Sequence, residues 1–404
     1  MKKVIMLFYV AIIATVAVSA QWVPVPYTHT MGVNDLHFIS RQTGFAAGYH
    51  EVYKTSDGGQ SWTEISADVF INGPVGVWFL TENVGFIIGS DAGGNPQVSK
   101  TINGGTSWTT TTLPVSSMGF NDPKKIFFVD NLTAYIACRS GHMYKTVDQG
   151  ISWEALVTGT NNDINSVHFP NPAIGYASLS YSTNLLKTIN GGNSWTEVDL
   201  GQLITVNDIY FTDLNTGYLA CSGSKIMKTT NGGVSWEVFD FGTTDTFYAI
   251  EFTNKNYGYV AGGSGTIATT TNGGISWVPS SSGLSQLLYC ISFPTIEVGY
   301  IASLHSPGKI IKTLNGGGIL NIADIHLNSL INVFPNPAID IITIKANNSL
   351  IGADYNIFDQ SGRIVLTGKI LDETSFININ HLETGIYFLQ VEELSKQSFK
   401  VIKK

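Results

Sequence analysis

The chain has 404 residues, of which 13% are charged, 11% are aromatic and 42 are glycine, and its formal net charge is −8. Apolar residues make up 43%, enough buried surface to offset the entropy of ordering, which excludes an intrinsically disordered chain. An acidic chain without a basic run lacks the cations that displace counterions from phosphates, so we expect no nucleic-acid partner. High glycine and aromatic content favours an all-β protein with many tight turns.

Residues 1–20 have the composition of a secretory signal peptide. Lys2 and Lys3 form a basic start, residues 4–18 are apolar, and Ala20 ends a small-residue cleavage site. The apolar stretch is shorter than the about 20 residues of a membrane span, although a retained N-terminal anchor is the alternative. No other segment is long and apolar enough to cross a bilayer. We therefore expect an exported protein with no transmembrane span in the mature chain.

A three-residue stretch of a strand, such as 36–38, recurs seven times in the sequence, and its middle residue varies while its two neighbours stay apolar. Such positions are expected to face the central channel of a closed ring of sheets, as a set of seven side chains: His37, Trp78, Phe127, His168, Tyr210, Glu251 and Ser292. We interpret the first two, together with His168, Tyr210 and Glu251, as candidate ligand-binding residues. The alternative is that these side chains pack between neighbouring sheets of the ring or line a water-filled channel. A metal site at the histidines is not expected, because no third ligand has suitable spacing.

Six octets of the form Thr-x-Asx-Gly-Gly-x-Ser-Trp recur, the third with Gln149 in place of the first glycine, and a seventh is incomplete. Their spacing of 41 to 46 residues is the length of one propeller blade. The acidic or amide side chain is expected to accept hydrogen bonds from its own turn, a structural role, at these positions: Asp57, Asn103, Asp148, Asn190, Asn231, Asn272 and Asn315. A Ca²⁺ loop is the alternative, but five of the seven are amides and no glutamate closes the loop.

The seventh turn, at Asn315, lacks the Ser-Trp strand that should follow it. Residues 21–25, with Trp22, resemble the strand at 276–279. We therefore expect the mature N-terminus to supply the outer strand of the last blade. The prediction is a seven-bladed β-propeller over residues 21–319, closed by the N-terminal strand.

The octets resemble the Asp-box, or BNR, repeats of sialidases, sortilin-type receptors, xyloglucan-degrading hydrolases and the photosystem II assembly-factor family. The regular repeats, with their Gly-Tyr and Lys-Thr steps, most resemble the assembly-factor-like propellers. The resemblance implies the fold, with Asp boxes at turns away from the usual ligand face, and it says little about function. Longer loops on the presumed ligand face add His142, Tyr181 and His305 as residues suited to contact a partner.

After a linker at 320–330, residues 331–404 have alternating strands that predict a small β-sandwich. Four ordered stretches resemble the type A sorting domain of the type IX secretion system of Bacteroidetes: Val333–Ala338, Phe358–Arg363, Leu382–Phe388 and Lys400–Lys404. This resemblance implies that residues 331–404 engage the type IX machinery and that the protein reaches the outer-membrane surface or the extracellular space. An ordinary carbohydrate-binding or Ig-like sandwich is the alternative.

The sequence favours binding over catalysis. A sialidase needs three arginines around the substrate carboxylate, and the propeller has only Arg41 and Arg139. No pair of carboxylates stands out for a glycosidase. We therefore expect non-catalytic binding of a protein or glycan, without a cofactor or metal, and keep a polysaccharide-degrading hydrolase as the alternative. Cys138, Cys221 and Cys290 are expected to be buried free thiols.

Overall fold

The computed structural model describes residues 22–27, 32–65, 73–114, 121–318, 331–346, 350–360, 362–391 and 398–404. The expected signal peptide at 1–20 and the linker at 320–330 lie outside them. The described chain forms 35 strands and three single 3₁₀ turns, at Arg139–Gly141, Gly263–Gly265 and Gly316–Gly318. None of its helices is long and apolar enough to cross a membrane. The chain divides into two units, residues 1–319 and 320–404.

The first unit contains seven sheets of four antiparallel strands, the blades of the predicted propeller. Strands A to D of a blade are taken in order from the channel outward. Blades 1 to 4 consist of β2 (Val33–Phe38), β3 (Gly44–Gly48), β4 (Val52–Thr55) and β5 (Thr63–Glu64); β6 (Pro74–Phe79), β7 (Gly85–Ser90), β8 (Pro96–Thr101) and β9 (Thr109–Thr112); β10 (Pro123–Phe128), β11 (Ala134–Cys138), β12 (Met143–Thr146) and β13 (Glu154–Leu156); and β14 (Ile164–His168), β15 (Gly175–Leu179), β16 (Ser182–Thr188) and β17 (Thr196–Ile204).

The last blade takes its outer strand from the other end of the chain. Blades 5 to 7 consist of β18 (Val206–Phe211), β19 (Gly217–Cys221), β20 (Lys225–Thr229) and β21 (Glu237–Asp240); β22 (Phe247–Phe252), β23 (Gly258–Gly262), β24 (Thr266–Thr270) and β25 (Val278–Ser281); and β26 (Leu288–Ser292), β27 (Gly299–Ser303), β28 (Ile310–Thr313) and β1 (Val23–Pro24).

Strand β1 closes the ring as the sequence predicts. Val23 pairs with Lys312 in an antiparallel register, and the Val25 N–H donates to the Ile310 carbonyl at 2.9 Å. The neighbouring Trp22 is 4% exposed and meets the Phe293 ring edge-on, with centroids 6.1 Å apart. The seven-bladed propeller closed by its N-terminal strand is thus confirmed.

Stacked aromatic rings join each blade to the next. A Phe or Tyr from strand B of one blade lies flat on the Phe near the end of strand A of the next blade. In six interfaces the ring centroids are 3.4–4.0 Å apart and the planes differ by at most 23°. The glycine that begins strand B makes room for this Phe: a Cβ added at Gly217 would lie 2.4 Å from the Phe211 ring. At the seventh interface the residue is Ala134, and the Phe86–Phe128 pair is tilted by 41° with centroids 4.7 Å apart.

We expect Gly217→Ala to lower the free energy of unfolding of the propeller by about 1–3 kcal/mol, because the new methyl group overpacks the interface. The matched control is Ala134→Gly, which removes a methyl group where Phe128 has already tilted, and should change stability by less than about 1 kcal/mol. Denaturant unfolding followed by tryptophan fluorescence measures both. Equal effects of the two substitutions would contradict this account of the glycine.

The octet turns are closed by side-chain oxygens. Oδ1 of Asp57 accepts the Ser61 N–H at 2.9 Å, and Oδ1 of Asn103 accepts the Ser107 N–H at 3.0 Å. The same contact occurs at Asp148, Asn190, Asn231 and Asn272, whereas Asn315 accepts from Gly318. Because Oδ1 is common to Asp and Asn, the turn needs no charge.

The Lys-Thr and Gly-Tyr steps of the repeat hold one blade to the next. Lys145 Nζ and the Tyr135 hydroxyl, both of blade 3, donate to the Gly191 carbonyl in the octet turn of blade 4, at 2.9 and 2.7 Å. Lys312 and Tyr300 of blade 7 make the same pair of bonds to Gly58 of blade 1. The Nζ atoms of the six Lys-Thr lysines also lie 5.2–5.9 Å from the ring centroid of the Phe or Tyr on strand B of the same blade. These lysines are Lys54, Lys100, Lys145, Lys187, Lys228 and Lys312. The repeated cations are therefore used inside the fold.

The second unit is a sandwich of two sheets, as the sequence predicts. One sheet has the order β29-β30-β33 and the other β32-β31-β34-β35. Their bounds are β29 (Ile331–Phe334), β30 (Ile341–Ala346), β31 (Asp354–Phe358), β32 (Ile364–Lys369), β33 (Thr374–Asn378), β34 (Gly385–Val391) and β35 (Ser398–Lys403). Ile342 and Ile344 of the first sheet and Ile357 and Leu389 of the second share one buried core.

The three cysteines are buried free thiols, as predicted. Burial raises the pKa of the Cys138 and Cys290 thiols well above the ordinary value, and that of Cys221 as well. A thiol held in its protonated form is a poor nucleophile. The cysteines therefore serve as small apolar core residues.

Candidate functional site

A β-bulge at the same place in all seven A strands shapes the channel. The register between strands A and B shifts at Val33/Asp35 in blade 1 and at Val206/Asp208 in blade 5, and the other five blades repeat it. A bulge sets two residues of one strand against one of its partner and turns a side chain toward a new direction. Two successive side chains, such as Asn34 and Asp35, therefore line the channel cavities together.

The antiparallel strands give the propeller two faces. The turns between strands A and B lie on the same face as the octet turns, where the Gly58 N–H donates to the Gln42 carbonyl at 2.8 Å. We call this the turn face. The loops between strands B and C lie on the opposite side, which we call the loop face, as do the described connections from strand D to the next blade. Each A strand begins at the loop face and ends at the turn face.

The variable residues of the A strands surround one cavity of about 230 Å³ at the turn-face end of the channel, which we call the mouth. Five of the seven are aromatic and occupy consecutive blades: His37, Trp78, Phe127, His168 and Tyr210. Neighbouring rings have centroids 4.5–5.7 Å apart. Glu251 and Ser292 complete the circle, so the mouth has an aromatic side and a polar side.

The polar side chains of the mouth also tie neighbouring blades together. Nδ1 of His37 accepts the Phe79 N–H at 3.0 Å, and Oγ of Ser292 accepts the Phe38 N–H at 2.9 Å. The Tyr210 hydroxyl donates to the Phe252 carbonyl at 3.0 Å. Oε1 of Glu251 accepts the Phe293 N–H at 3.1 Å. Within the described chain, His168 differs, because its buried Nδ1 has no hydrogen-bond partner.

Burial sets the charges of the mouth. Desolvation lowers the pKa of His37 to about 3, with a smaller contribution from the positive charge of Lys125, and it alone lowers the pKa of His168 to about 3. Both imidazoles are therefore neutral at pH 7. Desolvation raises the pKa of Glu251 to about 7, against the Phe293 amide and Lys125, which favour its ionised form.

A charged layer lies directly behind the mouth. Lys125 of blade 3 reaches Asp35 of blade 1 at 3.2 Å, while the second oxygen of Asp35 accepts the Val77 N–H at 3.1 Å. Asp208 uses both oxygens: Oδ1 accepts from the Ser166 hydroxyl at 2.7 Å and Oδ2 from the Ile250 N–H at 3.0 Å. Sequence reasoning missed this layer. Its signal was a polar or charged residue two positions before the ring residue in four of the seven strands.

The loop face holds a larger and more polar cavity of about 460 Å³, whose lining includes Tyr49, His50 and Lys124. Arg139 Nε lies 3.8 Å from the carboxylate of Asp122. Lys124 and Arg139 share Asp163, at 3.7 and 4.0 Å. This end of the channel therefore carries two cations that are paired with two carboxylates.

The loop residues expected to contact a partner lie at this end, away from the mouth. Tyr181 is 74% exposed on the loop before β16, and His305 is exposed on the loop before β28. His142 is half-buried, with Nδ1 3.2 Å from the Arg139 carbonyl oxygen. The structure thus separates the predicted residues into two sets on opposite faces. The mouth lies on the side of the octet turns, whereas the resemblance implies a ligand face on the other side, where Tyr181 and His305 lie. No described group of three or more His, Cys, Asp or Glu side chains is arranged to hold a metal.

Two protein families match the sequence. The family described as photosynthesis system II assembly factor YCF48 matches residues 14–194 and 234–348. The chain belongs to this family. Residues 195–233, which the match omits, include strands of blades 4 and 5 like those of the other blades. The family described as secretion system C-terminal sorting domain matches residues 332–404. This confirms the predicted resemblance to a type IX sorting domain, and such a tail implies interaction with that secretion system and export to the cell surface or the extracellular space.

Solved structures share the propeller fold. A structure described as YCF48 bound to D1 peptide is 22% identical, with a TM-score of 0.60, and the match covers 73% of this chain and 97% of that one. YCF48 from Cyanidioschyzon merolae is 21% identical, with a TM-score of 0.59 and coverage of 73% and 98%. The GH74 xyloglucanase from Xanthomonas campestris is 14% identical, with a TM-score of 0.58, and the match covers 73% of this chain and 54% of that one. No curated protein matches the sequence.

Proposed function

We propose that this YCF48-family protein is an exported, non-catalytic propeller that binds a partner outside the cell through the turn-face mouth. Of the two partner classes that the sequence leaves open, protein and glycan, a protein is favoured. The support is a relative of the same family whose solved structure has a bound peptide. The sorting tail would deliver the propeller to the cell surface or the extracellular space, where it could bind such a partner.

One observation carries the choice of binding over hydrolysis. Three carboxylates belong to the described lining of the mouth, those of Asp35, Asp208 and Glu251. Asp35 and Asp208 each use both oxygens within the protein, for backbone amides of the next blade and for Lys125 or Ser166. The Phe293 amide engages only Oε1 of Glu251. A glycosidase needs two carboxyl groups that both reach the substrate, whereas the described lining presents one.

A polysaccharide-degrading hydrolase remains the second candidate because of Glu251. A carboxyl group with a pKa of about 7 has the proton affinity of a general acid at neutral pH. The xyloglucanase of similar fold adds only the fold, since its identity is 14%. Without a second available carboxylate in the described lining, the same Glu251 serves a binding site better.

The test uses the full mature chain in two parallel assays. We expect it to retain peptides from a random dodecapeptide library with dissociation constants of about 1–100 µM, which correspond to binding free energies of about −8 to −5 kcal/mol. Trp78→Leu should weaken that binding at least about tenfold. No reducing sugar should be released from xyloglucan or other polysaccharides. Release that Glu251→Gln abolishes would overturn the proposal and favour the hydrolase, and failure to retain any peptide would refute protein binding.

A further inference from the structure

We infer that the turn-face mouth selects a cationic side chain, a lysine or an arginine, of the bound protein. This inference rests on the proposed function and adds the chemistry of the group that enters the cavity. A volume of about 230 Å³ accommodates one long side chain and excludes a folded segment. Three features favour a cation: the aromatic wall, the charges around the cavity, and the contrast with the other end of the channel.

The aromatic wall suits a cation. Trp78, Phe127 and Tyr210 provide π-systems on consecutive or nearly consecutive blades around the cavity. An ammonium or guanidinium group is attracted by the negative face of such a ring, and the attraction grows when water is excluded. Because Trp78 already stacks on His37, with centroids 4.5 Å apart, we assign this attraction to Phe127 and Tyr210. The methylene groups of a lysine or arginine would meanwhile pack on the apolar ring surfaces.

The charges of the mouth leave it electronegative. His37 and His168 are neutral, so they oppose no incoming cation. Among the described residues that line the cavity, the one cation is Lys125, which Asp35 engages at 3.2 Å. Asp208 and Glu251 remain as further acids, and burial raises the pKa of both, that of Glu251 to about 7, so the negative charge of the mouth is greatest above that pH. In this described lining an incoming cation therefore meets one available carboxylate, at Glu251, and no uncompensated positive charge.

The opposite end of the channel accommodates a cation less well. Lys124 and Arg139 line the loop-face cavity, where both contact Asp163 and Arg139 also lies 3.8 Å from Asp122. These two carboxylates are therefore already paired with cations, and an additional cation would meet the like charges of Lys124 and Arg139, which costs free energy at short range. A cationic group is better placed at the turn face, where Glu251 is available.

Binding of a cation should be coupled to ionisation of Glu251. The titratable and charged groups that influence or are influenced by this carboxyl group are Lys125, Asp208, Asp35, Tyr210 and Tyr259. Because the cation prefers the carboxylate form, binding releases a proton wherever Glu251 is protonated in the free protein. Affinity should rise by up to about tenfold per pH unit below pH 7 and level off above it.

The experiment starts from library peptides that the full chain retains at pH 8. Each is resynthesised with its lysines replaced by norleucine and its arginines by citrulline, which keep the aliphatic part of the side chain and remove the charge. We expect the neutral peptides to bind at least about tenfold more weakly, and Glu251→Gln to weaken the original peptides to a similar degree and to flatten their pH dependence between 5 and 7. Glu237→Gln, on an exposed outer strand, is the matched control and should change neither.

The outcomes separate the two levels of the proposal. If peptides bind but their neutral versions bind equally well, the cation inference is overturned and the proposed function stands. If no peptide binds, the proposed function itself fails. Thermal unfolding of Glu251→Gln checks its fold, and should it not fold, the neutral peptides still decide the question with the unaltered protein.

Discussion

Lowering the pH from 6.5 to 4 should destabilise the propeller steeply, by about 1.4 kcal/mol per pH unit for each of two buried histidines. Burial lowers the pKa of His37 and His168 to about 3, so the folded state keeps them neutral while the unfolded chain takes up protons below about pH 6.5. Their stabilising effect is complete above that pH and is lost as the pH falls toward 3. Glu251, with its pKa raised to about 7, opposes this between pH 7 and 4.5. The net loss should therefore steepen below about pH 4.5.

His168→Phe isolates one of these histidines. Phenylalanine occupies the corresponding position in blade 3, as Phe127, and His168 Nδ1 makes no hydrogen bond to the described chain. The free energy of unfolding is measured by denaturant titration at intervals from pH 7.5 to 4. Below about pH 6.5 it should fall less steeply in the variant by about 1.4 kcal/mol per pH unit, and above that pH the two slopes should agree. Parallel curves for the two proteins over this range would show that His168 titrates alike in both states.

Trp22→Ala should lower the free energy of unfolding by about 3–5 kcal/mol, as expected for truncation of a buried tryptophan. Its indole is 4% exposed, and it packs on Phe293 and against Gly317 in the blade that closes the ring. The control Val23→Ala alters the adjacent residue, whose side chain is 43% exposed, and should change stability by less than about 0.5 kcal/mol. Backbone pairing with Lys312 is kept in both variants.

Tryptophan fluorescence makes this measurement specific. All eight tryptophans lie between residues 22 and 277, so the signal reports the propeller without the sorting unit. Two separate units need not unfold in one transition, and a local probe avoids that ambiguity. Should Trp22→Ala and Val23→Ala unfold within about 1 kcal/mol of each other, β1 would not hold the ring closed in the way described.

The fold was predictable because the sequence pattern of one blade recurs seven times. The octets fix each turn through a side-chain oxygen, and the missing strand at Asn315 points to Trp22 at the other end of the chain. The reason why the Lys-Thr and Gly-Tyr steps recur is visible only in the structure. Lys145 and Tyr135 meet a carbonyl group of the next blade, a contact between residues about one blade apart that spacing alone does not reveal.

The candidate site was predictable only in part. The varying middle residue of each A strand located the mouth, including Trp78 and Glu251. The β-bulge turns Asp35 and Asp208 toward the same channel. No characteristic residue in the sequence marks this bulge, because it arises from the register of pairing between strands A and B. The sequence also could not tell that Tyr181 lies on the opposite face, because face assignment needs the direction of every strand.

The central claim is that the ligand occupies the turn-face mouth, and paired substitutions at the two ends of the channel test it most directly. Dissociation constants of a retained peptide are measured for Trp78→Leu, in the mouth, and for Tyr181→Ala, an exposed residue of the loop face. We predict that Trp78→Leu weakens binding at least about tenfold while Tyr181→Ala leaves it within about twofold of the unaltered protein. Loss of binding in Tyr181→Ala with full affinity in Trp78→Leu would contradict the account and place the ligand on the loop face.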